Sequence, residues 1–404
     1  MKIKIEKGVA KGAILAPPSK SYAHRLLIAA ALADGESVIV GISESEDMSA
    51  TLDCVKVLGA EYEREGDTVR IKGAGKRITE ASGALKEFFC RESGSTLRFM
   101  IPIAMLSGDT CEFIGTERLI SRGIGVYTEI FAEKGIKAVS AKDRFRLTGK
   151  LTGGLYRVRA YVSSQFISGL LFSLPLADGD SVIELLPPVE SKKYIDITVD
   201  TIRKFGIAVD FDGNTVKIKG NQKYRPASLT VEGDYSNAAF LDAFNFIGGD
   251  VRVGGLNENS LQGDRVYGDY FKALADGCPT LDISDCPDLG PVLFALAAAK
   301  NGARFTGTRR LKIKESDRAA AMAEELKKFG AEVEVDENTV TVKKTDLHAP
   351  TEIISGHNDH RIVMSMAVLL TLFGGVIDEA EAVRKSYPRF FEDLGKLGIY
   401  TEKE

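Results

Sequence analysis

One repeated pattern limits the folds open to this chain: an amphipathic helix, a small turn such as FG or LG, a strand, a polar turn and a second strand. Copies occupy residues 51–73 (TLDCVKVLGAEYEREGDTVRIKG), 127–149 (YTEIFAEKGIKAVSAKDRFRLTG), 198–220 (TVDTIRKFGIAVDFDGNTVKIKG) and 322–344 (MAEELKKFGAEVEVDENTVTVKK). The final stretch FFEDLGKLGIYTEKE reads as the start of a fifth. The glycine suits a helix C-terminus that needs a left-handed residue, and the GN, EN and EGD turns suit short hairpins between alternating strands. Copies starting at 51, 127 and 198 lie farther apart than common solenoid repeats, which leaves room in each unit for a further strand and helix. A βαβαββ unit is the simplest fit. Three units before residue 224 and a weaker set after it predict an α/β chain of two similar domains joined near Tyr224-Arg225-Pro226. A single α/β sheet with chance similarity among its segments is the alternative.

Composition narrows the function. With 404 residues, 44% hydrophobic and 27% charged, the chain can bury a full core and form two or three domains. A net charge of -4 gives no excess of positive charge for a nucleic-acid backbone, so any grip on phosphate must come from local clusters of Lys and Arg. The five cysteines are scattered without a CxxC pair, which predicts reduced thiols, no disulfide and no metal site. The start MKIKIEKGVAKG alternates like a strand and lacks the apolar centre of a secretory signal. The apolar stretch 362–377 is broken by Ser365, Thr371 and a glycine pair, and reads as a buried helix too short for a bilayer. A cytoplasmic protein with no membrane partner is expected.

Several clusters could carry chemistry. Lys20, Ser21 and Arg25 follow Pro17-Pro18 and precede the alanine-rich LLIAAALA, so two cations and a hydroxyl meet at a predicted helix N-terminus. Free N–H groups and the helix dipole favour an anion there, and Arg can grip a carboxylate with two parallel bonds; a solvated charged cap reads equally from these residues. In CRESGSTLRF, Gly94 lets backbone approach a ligand and Arg98 follows one turn later, although helix capping alone would explain the Ser-Gly-Ser-Thr run. Arg118 and Arg122 in GTERLISRGI stand four residues apart, as anion ligands or as a surface pair. Ser163, Ser164 and Gln165 precede an apolar helix, as phosphate cradle or as cap.

The second half holds the densest charge. Lys314, Glu315 and Arg318 surround a predicted helix start, with Lys314 and Arg318 expected on one face. Glu315 between two cations could move a proton, or simply belong to a salt-bridged surface helix. Asp359, His360 and Arg361 stand at the mouth of the apolar 362–377 segment, with Lys385 further on in RKSYPRFF. Asp288 opens another buried helix. A packed histidine for His360 and a capping role for Asp288 remain alternatives. Together these residues form two sets of anion-binding groups, one per half, with proton-transfer candidates in the second.

In this combination the motifs SKSYAHR, SGSTLRF, SSQFISGLL, KESDR, NDHR and KSYP resemble, in order, those of the 5-enolpyruvylshikimate-3-phosphate synthase family, from about Gly12 to Asp393. The resemblance implies a two-domain inverted α/β barrel, three βαβαββ repeats per domain, with residues 16–224 in one domain and 1–15 plus 225–404 in the other, and the active site in the cleft between them. It implies transfer of the enolpyruvyl group of phosphoenolpyruvate to the 5-hydroxyl of shikimate 3-phosphate by addition and elimination, with hinge closure, no cofactor and a monomer. Ser21, Arg25, Ser163, Ser164, Gln165 and Ser191 would hold shikimate 3-phosphate, and Lys20 would touch both substrates. Gly94, Arg122, Gln165, Arg318, Arg361 and Lys385 would hold phosphoenolpyruvate. Asp288 and Lys314 would sit at the reacting hydroxyl, Glu315 near the methylene carbon, and His360 among the proton-transfer groups. Ser95 departs from a residue found in many relatives, and Phe99 and Arg310 from residues found in some, which leaves the ring contacts and inhibitor sensitivity open. A related transferase acting on a UDP-amino sugar would need a catalytic cysteine loop, whereas Cys111 in TCEFIG reads as a strand. A non-enzymatic anion-binding protein would not need proton-transfer groups beside its cations.

Overall fold

The computed structural model describes residues 1–404 and contains two compact units: Lys20–Glu232, and Met1–Ser19 with Gly233–Glu404. Both follow the repeat read from the sequence. The glycine that closes the second helix of a repeat takes a positive φ at Gly59 (96°), Gly135 (72°), Gly206 (82°) and Gly330 (86°), a conformation any side chain would strain.

The Lys20–Glu232 unit holds three four-stranded sheets of one design. In two of them the chain runs strand, buried helix, parallel strand, outer helix, hairpin. These are Lys86–Arg91, Cys111–Gly115, Arg144–Thr148, Lys137–Ser140, and Gly154–Arg159, Ser181–Leu186, Thr215–Ile218, Val209–Phe211, in spatial order. The remaining sheet takes its edge strand, Ser228–Thr230, from the far end of the unit and pairs it in parallel with Glu36–Val40. Helices Lys20–Leu32, Gly94–Ala104 and Ser164–Ser173 are apolar nearly all round, as interior helices must be, and the last two pack together.

The other unit repeats the design with one abbreviation. Thr280–Asp282, Ala303–Thr306, Thr339–Val342 and Val333–Val335 form one complete sheet. In another, Ile3–Ile5 is paired antiparallel on both sides, to Gly375–Asp378 and to Thr401–Lys403. Asp250–Gly254 and Lys11–Leu15 make only a two-stranded sheet, because Tyr267–Asp276 leads through Gly277, Cys278 and Pro279 straight into Thr280–Asp282, with no length left for a hairpin. Helices Tyr235–Phe246, Gly290–Ala299 and His360–Phe373 pack on one another at the centre. The segment expected to be helical to residue 377 stops at Phe373, where Gly374 takes φ 79° and the chain turns into Gly375–Asp378. No helix is long and apolar enough to cross a membrane.

Each unit thus buries three helices, and five of the six present the positive ends of their dipoles at or beside residues that the sequence singled out: Lys20, Gly94 and Ser164 in one, Gly290 beside Asp288 and His360 in the other.

Candidate active site

In the Lys20–Glu232 unit, Ser93 caps the helix that starts at Gly94 by accepting from Thr96 N at 3.3 Å. A Cβ on Gly94 would lie 3.0 Å from Arg98 Nη1 and 3.1 Å from Arg122 Nη2, so two guanidinium groups meet over bare backbone at a helix N-terminus. This is the arrangement an anion requires. Arg122 reaches it from the C-cap of the short helix Glu117–Ser121. Arg98 Nη1 donates to Gln165 Oε1 at 2.7 Å, and Gln165 Nε2 donates to Ser95 Oγ at 2.9 Å, which binds Gln165 into the same corner.

Ser163 caps the next buried helix, accepting from Gln165 N at 3.3 Å, and its hydroxyl hydrogen stays available to an acceptor. Ser164 is buried behind it. Ser191, also buried, holds a left-handed backbone (φ 55°) before helix Lys192–Lys204, a conformation costing a non-glycine residue about 1–3 kcal/mol and concentrated at functional sites.

Arg25 departs from expectation. It donates Nε to Thr198 Oγ1 (2.7 Å), Nη1 to the Ser21 carbonyl (2.8 Å), and Nη2 to Ser168 Oγ (3.3 Å) and the Tyr194 carbonyl (3.2 Å). Four of its five N–H donors are occupied, so the two-bond grip on a carboxylate read from the sequence is replaced by one free hydrogen on a fixed group. Burial also pushes its guanidinium down to about 10. Lys20 Nζ lies 2.9 Å from Asp47 Oδ2; burial raises the Asp47 carboxyl, but the charges and hydrogen bonds of Lys20 and His24 together outweigh it and hold the group ionised.

In the other unit, Arg318 is the organiser. It is 1% exposed and donates Nε to Asp359 Oδ2 (2.8 Å), Nη1 to Asp288 Oδ1 (2.7 Å) and Nη2 to Glu315 Oε2 (2.7 Å). Lys314 Nζ approaches Asp288 Oδ1 at 3.0 Å. Lys314 and Arg318 do not share a helical face: Asp317 caps Ala320 N and starts the helix at Arg318, leaving Lys314 to end a preceding 3₁₀ turn. They converge on Asp288 all the same. Burial pushes the Lys314 ammonium down against the pull of Asp288, so it gives up a proton more readily than a surface lysine.

Asp359 caps helix His360–Phe373 by accepting from Arg361 N at 2.9 Å. His360 is buried at its first position, and Lys385 Nζ donates to the Asn358 carbonyl at 2.6 Å. The Arg361 guanidinium is 2% exposed, sits over the Phe240 ring, and lies 3.7 Å from Asp288 Oδ2 through Nη2, while its Nε and Nη1 have no protein acceptor. Beside it Asp264 accepts from Ser236, and burial, helped by the charge of Asp288, pushes its carboxyl up to about 7.

Sequence reasoning assigned no role to Asp47 or Asp264, and no substrate to Arg98. Arg98 stood within a quoted motif; Asp47 and Asp264 had no local signal, since only distant neighbours give them one. Cys111 lies in strand Cys111–Gly115 with its thiol pushed by burial up to about 12, unlike a reactive loop cysteine.

Residues 6–394 match the family model described as EPSP synthase (3-phosphoshikimate 1-carboxyvinyltransferase). A Clostridium kluyveri protein named 3-phosphoshikimate 1-carboxyvinyltransferase is 40% identical over 96% of this chain and 95% of its own. A Clostridium perfringens protein of the same name is 39% identical over 98% of each chain. Among solved structures, EPSP synthase from Acinetobacter baumannii aligns over 100% of both chains with a TM-score of 0.79 at 23% identity. The enolpyruvyl transferase NikO from Streptomyces tendae gives 0.77 at 15% identity, over 99% of this chain and 98% of its own. These structures share the fold: a mixed α/β chain of repeated βαβ units, the two-domain inverted α/β class expected from the sequence.

Proposed function

The chain belongs to the EPSP synthase family, and from that premise we propose how its residues divide the work of transferring the enolpyruvyl group of phosphoenolpyruvate to the 5-hydroxyl of shikimate 3-phosphate. Ser21, Ser163, Ser164, Gln165 and Ser191 hold shikimate 3-phosphate, and Arg25 contributes its one remaining donor. Gly94, Arg122, Gln165, Arg361 and Lys385 hold phosphoenolpyruvate, with Lys20 in reach of both substrates. Arg318 acts on phosphoenolpyruvate chiefly by fixing the carboxylates around it.

In the addition step the 5-hydroxyl oxygen bonds C2 of phosphoenolpyruvate, its proton passes to a base, and C3 gains a proton. In the elimination step C3 loses a proton, the C2–C3 double bond re-forms, and the C2–O bond to phosphate breaks with its electron pair on phosphate. Lys314, its ammonium weakened by burial and oriented by Asp288, acts at the hydroxyl. Glu315, held by Arg318, exchanges the proton at C3. His360 stands first in helix His360–Phe373, whose N-terminal dipole adds to the field that stabilises charge on the departing phosphate.

The observation that carries the reading is Arg361: a buried guanidinium with two unsatisfied donor nitrogens, Nε and Nη1, calls for an anionic ligand, since such donors are costly to leave unpaired. Phosphate release should require both substrates together; release from phosphoenolpyruvate alone at the same rate would overturn the proposal.

A further inference from the structure

The loop that leads into His360–Phe373 has an unusual backbone. His357 and Asn358 both take positive φ, 49° and 47°, although neither is glycine. Consecutive left-handed residues persist only where their surroundings over-determine them. The Asn358 carbonyl is the acceptor for Lys385, and Arg361 follows within one turn.

Helix Arg318–Lys327 grips this loop at two points two turns apart on one face. Arg318 binds Asp359 at the downstream end. Glu325, 0% exposed, accepts from Ser355 N at 2.9 Å and pairs with His357 Nε2 at 2.9 Å at the upstream end. Lys328 neutralises Glu325 at 2.8 Å and ties it to the Ile353 carbonyl at 3.0 Å. The Ser355 hydroxyl accepts from His357 N and donates to Glu379. The charged groups facing His357 are therefore Glu325, Glu324 and Glu379, with Lys328 behind Glu325.

We infer that Glu325 and His357 form a positioning pair that sets the backbone of residues 355–358 and through it the placement of Lys385 and Arg361 toward phosphoenolpyruvate. This rests on the assignment of Lys385 and Arg361 to that substrate. Neither Glu325 nor His357 touches substrate; both act through the loop.

The test is steady-state kinetics on Glu325→Gln and His357→Asn. Asn tolerates the left-handed backbone but is too short to reach Glu325, so His357→Asn removes the pair while sparing the fold, and it serves alone should the buried variant not fold. The KM for phosphoenolpyruvate should rise by about five- to tenfold with that for shikimate 3-phosphate little changed, the size expected for a residue acting through others. His357→Asn should also lose any pH dependence of the phosphoenolpyruvate KM above 6.5, because the Glu325 hydrogen bond raises the His357 imidazolium above that ordinary value against burial. Folded variants with lower melting temperatures but an unchanged ratio of the two KM values would overturn the pair. Lys385→Met is the control: if it too leaves the phosphoenolpyruvate KM unaltered, the site assignment has failed and the inference falls with it.

Discussion

Arg318 binds Asp359 across two helix starts, the first residue of one helix donating at 2.8 Å to the cap of the next. The same guanidinium reaches Asp288 and Glu315, so one buried cation fixes three carboxylates. Such a fork has no equivalent in a single ammonium.

Arg318→Lys should therefore leave at least one buried carboxylate unpaired. Unfolding in urea should show a loss of roughly 3–5 kcal/mol, the cost of breaking a buried ion pair from one side, together with a large fall in kcat. A variant as stable as the parent would show that the three carboxylates do not depend on it.

Gly94→Ala should act on binding and not on stability. The added methyl would lie 3.0 Å from Arg98 Nη1 and 3.1 Å from Arg122 Nη2, so these side-chain ends must shift slightly, and the shift disturbs the corner built for an anion. Affinity for phosphoenolpyruvate should drop by about tenfold while the melting temperature holds, since losing a charge-assisted contact costs roughly 1.5–3 kcal/mol. Isothermal titration with each substrate separately reads the difference.

Glu315→Gln keeps the shape of the side chain and removes its exchangeable proton. Both substrates should still bind, turnover should fall by roughly a hundredfold or more, and solvent deuterium should cease to enter the phosphoenolpyruvate methylene group. Exchange at the normal rate in a folded variant would take Glu315 out of the reaction.

Asp264 gives a pH signature. Its folded value of about 7 lies above the ordinary 3.8, so between those limits the native state holds a proton that the unfolded chain has lost. Raising the pH through this window removes stability, by roughly 1.4 kcal/mol per unit at most. Asp264→Asn should flatten the pH dependence of urea midpoints there; an identical slope in variant and parent would contradict the assignment.

What the sequence made legible was local. The helix, glycine and hairpin of each repeat could be read because Gly59, Gly135, Gly206 and Gly330 announce a left-handed helix end within a few residues of alternating strands. The stop of the last apolar helix at Phe373 was missed because Val376 and Ile377 continue the apolar run, and only the backbone of Gly374 and Gly375 ends it. In the site, Arg318, Glu315 and Asp288 stood out as charges beside apolar segments. The partners of Arg25 could not be read, because Thr198, Ser168 and Tyr194, which occupy its donors, are remote in sequence. Glu325 looked like any helix-surface glutamate until His357 and Ser355 were brought against it.

The strand Ile3–Ile5 is held on both sides by residues from the other end of the chain. During translation it emerges long before Gly375–Asp378 and Thr401–Lys403 exist, so it waits on the ribosome with both edges bare. Lys20–Glu232, continuous in sequence and complete in its own sheets, can be folded in that interval. The order of manufacture thus separates the two units in time: one can fold as it is made, while the other stays unfinished until Thr401–Lys403 has been made, with an unpaired β-edge that a chaperone or a misfolded neighbour can find first.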